Sequence, residues 1–170
     1  STPGVVGPAK DPVEVPALRT ATSTLFDNGN GTLTVRGFTS PQFFKAADGS
    51  WQKIDNRVVT DSSRKGWLRN AAGGWVFGFG PIAANGSGGV EVSTGGLSFT
   101  VRPDFVAPGR SIAPEVVEGQ PDTVIYRNVA DGVDLTYRVT AVGLKEDVVL
   151  RAKPAQSSFS FTIDGAEFAI

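Results

Sequence analysis

The chain has 170 residues, 16 Lys and Arg against 17 Asp and Glu, 21 glycines and 11 prolines, and it contains no histidine, cysteine or methionine. Those absences exclude a Ser-His-Asp triad, a thiol nucleophile, a disulfide framework and the common zinc, copper, haem and iron–sulfur sites, so no cofactor is expected. A formal net charge of −1 speaks against a phosphate-binding surface and hence a nucleic-acid partner, and no apolar run approaches the ~20 residues of a membrane helix, so no membrane insertion is expected.

Residues 1–16 carry Pro3, Pro8, Pro12 and Pro16 and read as a Pro/Gly-rich extended arm, either loose or docked across the domain. Residues 17–170 read as a single all-β domain. Thr24-Leu25-Phe26 and the strand through Leu33 flank Asn28-Gly29-Asn30-Gly31, a hairpin signal. Asp48-Gly49 separates Phe43-Phe44 from a short strand through Trp51–Ile54. Beyond it, Asp55, Asn56, Thr60 and Asp61 favour turns, and at most one helical turn is expected. Trp75-Val76-Phe77-Gly78-Phe79 reads as a core strand with small residues opposite. Val90-Glu91-Val92 and Leu97–Arg102 alternate apolar and polar residues, and Gly95-Gly96 between them marks a tight turn.

The stretch 103–121 holds Pro103, Pro108, Pro114 and Pro121 and is a surface crossover or a subdomain boundary. One domain is favoured, because a separate fifty-residue meander has a marginal core. Pro121, Gly132, Gly143, Pro154 and Gly165 then recur at eleven-residue intervals. Val133, Leu135, Tyr137, Val139 and Ala141 share one face of the second run. Val148, Leu150 and Ala152 share a face of the third, and Phe159, Phe161 and Ile163 a face of the fourth. The fold class this predicts is an antiparallel β-sandwich or distorted barrel of ten to twelve strands with a C-terminal meander. The lack of an initiator Met at Ser1 and the strand-like Phe168-Ala169-Ile170 suggest a processed or excised piece of a longer protein.

Paired carboxylates are the one catalytic device this composition leaves open. Asp131 and Asp134 flank a turn and Glu146-Asp147 opens a strand, but their spacing picks out no pair. Asp131 reads as turn chemistry, and Asp134 and Asp147 as solvent-face residues. Asp27 to Thr32 is a calcium loop only if calcium tolerates one charged ligand, and Phe38 stands where a twelfth-position Glu belongs; a plain turn is the simpler reading. Asn30-Gly31-Thr32 and Asn85-Gly86-Ser87 match the glycosylation sequon. Of the three tryptophans, Trp51 and Trp75 read as core or near-core. Trp67, in Arg64-Lys65-Gly66-Trp67-Leu68-Arg69, is the most loop-like, and Trp67, Arg64 and Arg69 are the candidate ligand-binding residues, with a cell-wall glycan as ligand. Interleaved cations and an aromatic also cue single-stranded nucleic acid, but Asp61 and the near-neutral charge weigh against it.

Several segments occur in a recognisable order. Leu18-Arg19-Thr20, Asn28-Gly29-Asn30-Gly31-Thr32 and Asp48-Gly49-Ser50-Trp51-Gln52-Lys53-Ile54-Asp55-Asn56 come first. Tyr126-Arg127-Asn128-Val129, Gly132-Val133-Asp134-Leu135-Thr136-Tyr137 and Gly143-Leu144-Lys145-Glu146-Asp147-Val148-Val149-Leu150 follow. From Leu18 to Phe168 this order resembles the N-terminal β region of large secreted bacterial RHS/YD-repeat proteins, including wall-associated and polymorphic-toxin types. The resemblance implies a non-catalytic structural or adhesion module, secreted or in the cell envelope, whose partner is the remainder of its own polypeptide. It brings no catalytic residues. The rivals are a carbohydrate or cell-wall binding module using an exposed Trp, and a carboxylate-based glycoside hydrolase or lyase. Within the motifs, the Tyr126 and Tyr137 hydroxyls are expected at the rim, Lys145-Glu146 beside a solvated turn, and Asp134 as a cap on the turn at Gly132.

Overall fold

The computed structural model describes residues 11–165. Residues 1–10 of the expected arm, and Phe168–Ile170, lie outside the described residues. The chain divides into two compact units at Ile54/Asp55. The Pro-rich stretch 103–121 lies inside the second.

In the first unit, β1 (Val13–Glu14), β2 (Ser23–Asp27) and β3 (Leu33–Gly37) form a three-stranded sheet, and β4 (Phe43–Lys45) pairs with β5 (Trp51–Lys53). The end of the expected arm is thus a docked edge strand, Val13 lying opposite Asp27. A 3-10 turn, Pro16–Leu18, follows it. The β2–β3 loop is held by its own polar side chains. Asp27 Oδ1 accepts the Gly29 N–H at 2.8 Å, and Asn30 Oδ1 accepts the Thr32 N–H at 3.1 Å. The loop oxygens that suggested calcium are engaged in these turn bonds. Asp48 builds the β4–β5 turn in the same way, accepting from the Ser50 hydroxyl and N–H, and both bonds pull its carboxyl below the usual range.

The second unit holds β6 (Asp55–Thr60), β7 (Leu68–Ala72), β8 (Val76–Phe79), β9 (Ile82–Ala83), β10 (Val90–Thr94), β11 (Leu97–Pro103), β12 (Ser111–Ile112), β13 (Glu115–Val117), β14 (Gln120–Ala130), β15 (Val133–Thr140), β16 (Gly143–Leu150) and β17 (Phe161–Asp164). A six-stranded sheet runs β17-β11-β10-β8-β7-β6, a four-stranded sheet runs β13-β14-β15-β16, and β9 pairs with β12. Among the described residues every strand pairing is antiparallel. The Gly95-Gly96 turn is as expected. Both residues have positive φ (50° and 95°), which side chains resist, and Thr94 pairs directly with Leu97.

Antiparallel partners share a face, so the register identifies the inner rows. Phe77, Val92 and Phe99 form one row of the six-stranded sheet, and Phe79, Val90 and Val101 another. In the four-stranded sheet, Val124, Tyr137 and Glu146 align, as do Tyr126, Leu135 and Val148. The buried members of these rows pack together as one core between the two sheets, with Val58, Ile82, Val129, Val133 and Val139. Tyr126 and Tyr137 meet edge to face at 6.0 Å, a geometry that adds about 0.5–1.5 kcal/mol beyond area burial.

Two expected elements differ. Residues 55–60, expected as turns, form β6, where the β-branched Val58, Val59 and Thr60 favour a strand. A register irregularity between Asp55 and Val58 absorbs the polar Asn56 and Arg57. The fourth eleven-residue run does not extend the meander either. Only Phe161–Asp164 is strand, and it joins β11 in the opposite sheet, with Val101 opposite Ile163. Phe105 explains the switch in part. Its ring meets Phe159 and Phe161 edge to face at 4.9 and 5.4 Å, drawing the last run across to that sheet.

Candidate functional site

Trp67 and Arg64 come together on the outer face of the six-stranded sheet. The turn after β6 is built by Asp61, whose carboxylate accepts the Ser63 hydroxyl and N–H and the Arg64 guanidinium. The Ser63 hydroxyl, then Arg64, then the Ser63 N–H hold the Asp61 carboxyl down at about 2. Arg64 continues to Glu91 on β10 at 2.6 Å and lies over the Trp67 ring, 3.9 Å from its centroid. The ring's close approach is possible because Gly80 has no side chain: a Cβ there would fall among the Trp67 ring atoms. Gly78 does the same for Arg64, whose Nη2 would sit 2.9 Å from an added Cβ. One ring face is therefore covered by a guanidinium, and the ring also lies against the Gly80 backbone. A sugar stacking there must first displace Arg64. Arg69 is exposed on β7, in register with Gly78 and Glu91 on the same face.

Asp131 and Asp134 of the meander are also engaged. Asp131 pairs with Arg110 at 2.5 Å. Asp134 is not on the solvent face and does not cap the Gly132 turn. It is 3% exposed, and its Oδ1 accepts the Asn128 N–H at 2.5 Å and the Arg151 guanidinium at 2.8 Å. Asn128 has a φ of 55°, inside the register shift between Tyr126 and Ala130. A bulge strips ladder partners from the backbone, and the Asp134 carboxylate supplies the acceptor that the strand no longer provides. The motif Asp is thus a bulge clamp. Among the described residues, no group of three acidic side chains comes close enough to hold a metal ion.

The motif tyrosines are likewise not at the rim. Both are at most 2% exposed, and burial raises both hydroxyl pKa values well above the ordinary range, so both stay neutral phenols. Tyr126 Oη crosses the core to donate to the Gly80 carbonyl at 2.9 Å, tying the two sheets together. Among the described residues, Tyr137 Oη has no hydrogen-bond partner.

Tyr137 lines a cavity of about 240 Å³ between the sheets. Phe77, Val92 and Phe99 form one wall, Leu144 and Tyr137 the other, and Trp75 and Glu146 also line it. Glu146 is exposed, as expected of a residue just past the Gly143 turn, and its strand position still faces the pocket row. Lys145 and Asp147 point to the opposite face and pair with each other at 3.0 Å, while Glu146 occupies the inward row opposite Tyr137. Burial, and secondarily the Asp147 charge, push its carboxyl upward. The signal for this was in the chain: Leu144, Glu146, Val148 and Leu150 alternate, placing Glu146 on the apolar side. No protein-family model, curated protein or solved structure matches the chain.

Proposed function

We propose that the chain is a non-catalytic structural or adhesion module of a secreted or cell-envelope bacterial protein of the RHS/YD-repeat type, whose partner is the remainder of its own polypeptide. The observation that carries this reading is the internal employment of the motif residues. Asp134 holds the bulge at Asn128, Tyr126 ties the sheets, and Gly132 turns the hairpin between β14 and β15. Residues that serve a scaffold in this way define a shape rather than a reaction. Two of the acids that a hydrolase could use are committed to arginines: Asp131 to Arg110, Asp134 to Arg151. The stacked Arg64 leaves Trp67 a poor sugar platform, which ranks the glycan reader below the scaffold.

The test is association in trans. The 170-residue chain and the remaining polypeptide of its reading frame are purified separately and titrated by calorimetry. Association with micromolar or tighter affinity, and no turnover of a polysaccharide panel, is the expected result. Absence of association, or hydrolysis lost on Asp131→Asn, overturns the reading.

A further inference from the structure

The three tryptophans differ in what lies against their rings. Arg64 lies over Trp67, and Trp75 stacks on Phe77 with the ring planes 2° apart. Among the described residues, no aromatic ring or guanidinium lies over Trp51. Trp51 is half-buried and pairs directly with Lys45 in the β4–β5 hairpin. Paired residues share a face, and so do residues two apart along a strand, so Phe43, Lys45, Trp51 and Lys53 stand on one side of this ribbon. Arg19 belongs to the same side, since its guanidinium lies 4.7 Å from the centroid of the Phe43 ring. Arg19, Lys45, Ser50 and Trp51 line an open cleft of about 430 Å³, with Pro16 and Gly49 at its rim. Glu14 holds Arg19 through two bonds of 2.9 and 2.6 Å, which fixes the guanidinium in place. Lys45 and Lys53 are exposed and form no ion pair among the described residues.

We propose that this cleft binds a hexuronate unit of an acidic polysaccharide. The C–H face of the pyranose lies on the Trp51 ring, and the carboxylate meets the Lys45 ammonium in a charge-assisted hydrogen bond. A guanidinium has five N–H donors, and the bonds to Glu14 leave Arg19 with donors for sugar hydroxyls. Ser50 Oγ donates to Asp48 and keeps lone pairs that accept from a hydroxyl. An open cleft with one aromatic ring among charged and hydroxyl groups fits a ligand with one apolar face and a polar edge. A wholly apolar ligand would keep much of its surface in water there. The volume of about 430 Å³ lies within the roughly 300–1,000 Å³ of small-molecule sites. The inference stands apart from the scaffold reading, because no residue of this cleft takes part in the Asp134 clamp or the Tyr126 tie.

The experiment is calorimetric titration of the whole chain with trigalacturonate and with its methyl ester, which keeps the sugar shape and removes the charge. The acid is expected to bind at least about tenfold more tightly than the ester, as a charge-assisted hydrogen bond requires. Lys45→Gln is expected to bring the acid to the affinity of the ester with the melting temperature unchanged, which separates a lost contact from a lost fold. Trp51→Leu is expected to abolish binding of both trimers, and Trp51→Phe, which keeps a ring in the hairpin, to weaken both severalfold. Equal binding of acid and ester, no binding of the acid at millimolar concentration, or full acid affinity in Lys45→Gln or Trp51→Leu overturns the proposal.

Discussion

Replacing Asp134 by Ala removes the acceptor that Asn128 donates to at 2.5 Å and the partner of Arg151 at 2.8 Å. The first loss dominates. A bulge N–H left without an acceptor beside a buried position costs about 1–3 kcal/mol. The Arg151 side chain is 50% exposed, so its guanidinium rehydrates, and that loss is about 0.5 kcal/mol. The sum is about 1.5–3.5 kcal/mol. With a urea m-value of about 2 kcal/mol/M, the unfolding midpoint falls by about 0.7–1.8 M. Asp134→Asn retains an oxygen acceptor for Asn128 and loses only the charge, so its cost is about 1 kcal/mol. Both variants are to be measured by urea titration in a Trp51→Phe background, so that Trp67 and Trp75 alone report the second unit. A midpoint shift below about 0.3 M for Asp134→Ala, or equal damage from Ala and Asn, refutes the clamp.

Three further outcomes are expected. Tyr126→Phe removes the hydroxyl that bonds the Gly80 carbonyl and costs about 1–1.5 kcal/mol, whereas Tyr137→Phe deletes a hydroxyl without a partner and is neutral or stabilising; equilibrium unfolding of the two variants side by side measures the contrast. Gly80→Ala drives a methyl into the Trp67 ring and costs about 1–3 kcal/mol, and Trp67→Ala in the same chain recovers part of that loss in a double-mutant cycle. The Asp61 carboxyl is lowered from 3.8 to about 2 by Ser63 and Arg64. A depressed carboxyl stabilises the fold above its unfolded value, and this contribution is lost as pH falls from about 4 through about 2. Acid titration of Asp61→Asn is therefore expected to show a shallower stability loss across that window than the parent chain.

Local chemistry made much of this fold readable before any coordinates. Gly95-Gly96 and Asp48-Gly49 announce their turns because the backbone there needs what those residues permit. Strict alternation along Val133–Val139 announces a face that the register then buries. What escaped the reading depends on distant partners. Asp134 alternates correctly for a wet face, and only the bulge in β14 and Arg151 on the following segment make that position a dry one. Trp67 looks loop-like in sequence because the glycines that receive Arg64 and the Trp67 ring, Gly78 on β8 and Gly80 just past it, are distant in the chain. The sheet that Phe161–Asp164 joins is a choice between two edges that no local pattern distinguishes. Glu146 is a different case, since its own alternation with Leu144 and Val148 placed it inward, and the neighbouring charges of Lys145 and Asp147 obscured the signal.

The pairing of β17 with β11 sets an order of events during synthesis. The four-stranded sheet has all its strands once Leu150 has left the ribosome, but the six-stranded sheet waits for Phe161–Asp164 to cover a strand made some sixty residues earlier. Throughout that interval the outer margin of β11, Thr100 to Pro103, is bare backbone able to recruit any neighbouring extended chain. A nascent polypeptide stalled or truncated between these points carries an open seam, and its hazard is self-association on the polysome rather than loss of the core already assembled.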